Sequence, residues 1–160
     1  MCMLASGASL WAREPQSVPY MDRVEAEIID FVPIGNRWAL LPFDVVRGEG
    51  KPFVGPFTTR GILLVDLQTL QFIGVNTLRD ADGDLIFINI LGDRLTPTPN
   101  PLVFGIDVET RFVGGTRKWF GVRGGFTGSG MLMLPGPGQF VGAVFTGVGN
   151  GTITPPRGRR

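Results

Sequence analysis

Asp82-Gly83-Asp84-Leu85-Ile86-Phe87-Ile88-Asn89-Ile90-Leu91 decides the fold. Asp-Gly marks a tight hairpin turn, because glycine accepts a positive φ at no steric cost. The run behind it is apolar except for Asn89 and rich in β-branched residues, so it reads as a strand over 84–92. It is apolar on both faces, whereas a sheet with one wet face alternates. Ile62-Leu63-Leu64-Val65 has the same character. In an antiparallel protein such strands need cover on both sides, and a barrel covers one side with its own interior.

Working outward from this hairpin, glycines (24) and prolines (13) punctuate the chain into short runs of Val, Ile, Leu, Phe and Thr. Strands are expected over 24–32, 38–47, 57–66, 70–78, 84–92, 102–112, 122–134 and 139–148. Turns fall at Arg47-Gly48-Glu49-Gly50 and Pro135-Gly136-Pro137-Gly138, and a longer loop at 93–101. Glycines within the strands, such as Gly124, Gly128 and Gly147, suit barrel corners and close backbone approach. No helical periodicity appears past Asp22. The fold expected is all-β: a closed antiparallel barrel of about eight strands over 23–154. An N-terminal tail or lid (1–22) precedes it and a basic C-terminal tail (155–160) follows.

Composition narrows the chemistry. The 160 residues are 43% hydrophobic and 18% charged, enough apolar material for a core. A net charge of +1 gives no general reason to bind nucleic acid or an anionic membrane. Histidine is absent and Cys2 is the one cysteine, so the common zinc sets and the Ser-His-Asp and Cys-His machineries cannot be assembled. Asp80-x-Asp82-Gly83-Asp84 has its glycine at the wrong position for a calcium loop and reads as the hairpin turn. The apolar stretch at 1–12 lacks a basic flank and is broken by Ser6, Gly7 and Ser9, which favours a cytoplasmic protein. No run is long and apolar enough to span a bilayer as a helix.

Gly114-Gly115-Thr116-Arg117-Lys118-Trp119-Phe120-Gly121-Val122-Arg123-Gly124 resembles a segment of the allene oxide cyclase-like barrel superfamily, of the form G-G-T-G-x-Y/F-x-G-A-x-G. Arg117 and Val122 depart from it. Gly35-Asn36-Arg37-Trp38 through Gly61, and Phe72 to Gly92, are similar in order to the segments that precede it. The resemblance spans roughly 24–154. It implies an eight-stranded barrel and a place among allene oxide cyclases, dirigent proteins and bacterial cyclases that close spirotetronate-type polyketides by 4+2 cycloaddition. It also implies that Glu27, the best match to a first-strand active-site glutamate, is catalytic.

Asn76 and Asn89 are lone polar residues within apolar strands, and Arg60 is flanked by Thr59 and Gly61. Each either serves a neighbouring backbone group or orients a ligand. Trp38 and Trp119 are core by default, and candidates to line a cavity. Asp107, Glu109 and Arg111 read as a solvated strand face, since three charges in a narrow lumen are costly to desolvate. The function expected is a cyclase or isomerase of an apolar, polyene-like natural-product intermediate, needing no metal or cofactor and working mainly through orientation. The alternative is a non-enzymatic binding or dirigent-like barrel. A homodimer is expected, because large apolar faces are rarely left open on monomers.

Overall fold

A computed structural model of the protein describes residues 16–92 and 94–156. Ten strands follow one another: β1 (Val18–Ile28), β2 (Val32–Ile34), β3 (Trp38–Lys51), β4 (Gly55–Asp66), β5 (Phe72–Asp80), β6 (Leu85–Ile90), β7 (Leu95–Pro97), β8 (Val103–Gly115), β9 (Arg123–Met133) and β10 (Val144–Thr154). Among the described residues the one helical element is a 3-10 turn at Arg117–Trp119.

All pairings are antiparallel, in the order β1-β10-β9-β8-β6-β5-β4-β3, and β3 returns to β1. Eight strands thus close into a barrel, the size at which the interior either fills with side chains or keeps room for one small ligand. The short strands β2 and β7 are annexes, added to β3 and β8. Gly83, at φ 84°, makes the Asp-Gly turn between β5 and β6.

Two strands differ from their expected positions, and they differ together. β1 begins at Val18 rather than 24, and β10 ends at Thr154 rather than 148. The two form one ladder, with Val18 opposite Ile153. The segment 18–22 is therefore barrel, and Tyr20, expected in a lid, is buried inside it. Pro19 marks no tail: pairing with β3 starts only at Met21, so its missing N–H interrupts no ladder on that side. The lid expected around Trp11 and Pro15 lies outside the described residues.

The inward face is set by alternation, interrupted on β3 by a bulge at Val46 and Arg47. On β1, Tyr20, Asp22, Ala26 and Ile28 are buried, while Pro19, Met21, Arg23 and Glu27 are exposed. Inward aromatic rings lie against inward glycines, most of them on the adjacent strand. Phe57 covers Gly48, Phe43 covers Gly61, and Phe145 covers both Gly130 and Gly147. Phe126 covers Gly149, and Tyr20 lies against Gly50. In each case a Cβ on the glycine would enter the ring's space, so these glycines make room for rings as large as the core requires.

One end of the barrel is sealed. Trp119, Val122 and Ile153 are buried at this end, where Tyr20 packs on Phe112 (centroids 5.4 Å, edge to face) and Phe126 (5.7 Å). A polar clamp ties the 3-10 turn to the β5–β6 hairpin. Trp119 Nε1 donates to Asp80 Oδ2 at 2.7 Å, Lys118 Nζ lies 2.6 Å from the same oxygen, and Lys118 also bonds Asp82. Asp80 Oδ1 accepts the backbone N–H groups of Asp82 and Asp84. Burial pulls the Asp80 carboxyl up, yet these donors hold it below its ordinary range. The Asp80–Asp84 segment is the hairpin turn that was expected, with an ammonium group bound to it.

Candidate functional site

Above the sealed end the barrel holds a cavity of about 130 Å³, partly open to solvent. Its walls are apolar, with Leu41, Phe43, Leu63, Val65, Ile88 and Leu132 among them. Four inward-facing polar side chains border it: Asp22 from β1, Thr59 from β4, Asn76 from β5 and Thr110 from β8.

Thr110 is satisfied, its hydroxyl donating to the Phe126 carbonyl at 3.0 Å. The others are not so settled. Thr59 Oγ1 and Asn76 Oδ1 are buried without a hydrogen-bond partner, as is the Tyr20 hydroxyl near the sealed end. Asp22 is 5% exposed. Burial pushes its carboxyl up to about 7, even though the backbone N–H of Gly149 donates to it and opposes the shift. Burial also raises the Tyr20 phenol, and the neighbouring Asp22 adds to this. A carboxyl poised near neutrality in an apolar chamber can give or take a proton at ordinary pH.

The residues singled out from sequence divide clearly. Asn76 borders the cavity. Glu27 stands at the cavity's margin but is itself exposed, between buried Ala26 and Ile28, so its carboxylate belongs to the outer face. Arg60 is also outside, in a two-point ion pair with Asp44 across the β3–β4 ladder (2.9 and 3.0 Å). Asn89 is exposed between the buried Ile88 and Ile90. Trp38 is on the outer face of β3, half-buried, with the Arg37 guanidinium 5.3 Å from its ring centroid. Trp119 is interior, but in the sealed end rather than the cavity wall. Asp107, Glu109 and Arg111 are exposed as expected, with Glu109 and Arg111 paired at 3.2 Å.

Asp22 and Thr59 escaped the sequence reading. The signal for Asp22 was the alternation Tyr20-x-Asp22-x-Val24-x-Ala26-x-Ile28, which is legible only once the strand is allowed to start before Asp22.

Compared with protein-family models, curated proteins and solved structures, the chain matches none of them.

Proposed function

We propose that this protein is a cofactor-independent cyclase or isomerase. It holds an apolar, polyene-like intermediate within the barrel and promotes ring closure, including intramolecular 4+2 cycloaddition. The observation that carries the proposal is the apolar cavity inside the barrel, bordered by Asp22, a buried carboxyl kept near neutrality. Orientation lowers the barrier by confining a flexible chain in a reactive shape. Asp22 polarises or protonates a carbonyl of the substrate, and so favours the electron-poor partner in ring closure. The resemblance to the allene oxide cyclase-like superfamily points the same way. A homodimer in the cytoplasm is part of this proposal.

A second reading, a non-enzymatic binding barrel, is favoured by the size of the cavity. At about 130 Å³ it is comparable to the roughly 150 Å³ apolar cavities that take up benzene. It holds one ring, and a long chain enters only if rings swing aside.

Incubation with conjugated polyenes that bear a carbonyl separates the two. The proposal expects a product of unchanged mass and shortened conjugation. Asp22→Asn should slow its formation by about 10²–10⁴-fold, the usual worth of one acid–base group, and Glu27→Gln should leave the rate unchanged. If apolar probes bind with one-to-one stoichiometry and no polyene is converted, the cyclase reading falls and the binding barrel stands.

A further inference from the structure

Thr59 and Asn76 face the lumen from neighbouring strands. The β4–β5 ladder sets Thr59 opposite Leu78 and Gly61 opposite Asn76, so the two polar side chains are diagonal neighbours. Such neighbours lie about 7–8 Å apart at the backbone, a gap that two side chains and one bound oxygen can span. The Phe43 ring lies against Gly61, directly across the ladder from Asn76. Asp22 is not part of this pair: it comes from β1, and β3 runs between β1 and β4.

Both oxygens are buried and unpartnered, and Thr59 is only 7% exposed. Buried polar atoms are nearly always paired, and an exception asks for a reason. Two such exceptions side by side, on the wall of a cavity, have a joint reason if a guest satisfies both. The donor and acceptor inventory selects the guest. Asn76 Oδ1 only accepts, while the Thr59 hydroxyl both donates and accepts. The complementary group must therefore donate a hydrogen to Asn76 and can accept one from Thr59. A hydroxyl does both. A carbonyl or ether oxygen has no hydrogen to give, and an ammonium group is excluded by the cost of burying its charge.

We propose that Thr59 and Asn76 form a hydroxyl-recognition subsite, and that the ligand is a neutral, ring-sized apolar molecule carrying one hydroxyl: an alcohol, a phenol or an enol. This rests on the reading of the lumen as a ligand cavity, not on the cyclase chemistry.

Phenol and toluene test it, since they match in shape and differ in a hydroxyl against a methyl. Calorimetric titration of the full chain with each probe gives a ratio of affinities. In the double variant Thr59→Val/Asn76→Leu that ratio, phenol over toluene, should fall at least about tenfold, with toluene still bound. An equal ratio in the native and variant proteins, which includes a subsite filled only by water, overturns the subsite and leaves the cavity reading standing. Failure of both probes to bind the native protein overturns the cavity reading, and the subsite with it. Thr59→Val alone supplies a second readout. Removing an unpaired hydroxyl at constant shape should raise the melting temperature by about 2–4 °C. A fall means that the hydroxyl serves the fold, and sinks the proposal even if the double variant does not fold.

Discussion

At the scale of single residues, Asp22 sets an unusual pH dependence. Its carboxyl titrates at about 7 in the folded chain and at about 3.9 when unfolded. Between those values the native state holds the proton and the unfolded state does not. Stability from this group is therefore full below about pH 4 and is lost as pH rises through 7. Asp22→Asn should remove the trend. The variant should resist urea better than the native protein at pH 8 and about equally at pH 4. Parallel denaturation curves at the two pH values, with equal gaps between the proteins, would contradict the burial argument. Asp66 behaves in the opposite sense. The Arg37 guanidinium, bonded through Nε (2.9 Å) and Nη2 (2.6 Å), holds its carboxyl down to about 2. Its contribution is present above the ordinary carboxylate range and is lost only in strong acid. Neither group was legible as functional from residue type. An aspartate in sequence is a solvated residue by default, and only its parity within a strand tells the lumen from the solvent. Glu27, the match by position along the strand, sits on the outer face at the cavity's margin, one step of the pleat from the buried Ala26 and Ile28.

Among the elements, the 3-10 turn at the sealed end is the most exacting. Trp119 fills the end of the barrel and its indole N–H is one of the donors that keep Asp80 ionised. Trp119→Phe removes both volume and a donor, and should lower stability by about 2–4 kcal/mol, read from urea unfolding. A loss below about 1 kcal/mol would mean that the clamp is dispensable. The strands of the central hairpin were legible because an Asp-Gly turn and β-branched runs are local signals. β10 was ended too early, at 148, because Gly149 and Gly151 look like breakers when read alone. Their reason is in other strands: Asp22 and Phe126 occupy the space beside Gly149, and the Gly125 carbonyl and Phe126 that beside Gly151. Gly147→Ala, which puts a methyl into the space of the Phe145 ring, should destabilise the fold by about 1–3 kcal/mol, the usual range for overpacking. Near-neutral behaviour in thermal melts would show that the Phe145 ring yields freely.

For the whole molecule, closure removes the edges of the eight barrel strands, leaving only those of the short annexes β2 and β7, and what stays open is the outer face. Ile62 stands opposite Val75, and Leu64 opposite Ile73, on the outside of β4 and β5; Ile73 and Val75 are 56% and 58% exposed. This is the two-sided apolarity that the sequence displayed, and it was the surest guide to a barrel. The proposed homodimer places this face at its interface. Sedimentation at tens of micromolar, roughly where an ordinary interface is occupied, should give a dimer, and Val75→Arg should give a monomer. A monomeric native protein would refute the interface. The paired rings and glycines have a consequence of another kind. Each ring is held in place by a missing side chain on the strand beside it, so the capacity of the chamber is controlled from its plaster as well as from its furniture. A methyl added at Gly61 or Gly147 would drive Phe43 or Phe145 inward and shrink the room, while trimming the ring would enlarge it. Five such adjusters lie along one arc of the wall, from β9 through β10, β1 and β3 to β4, and a lineage could resize its guest by small steps there without altering any group that touches the guest's polar end.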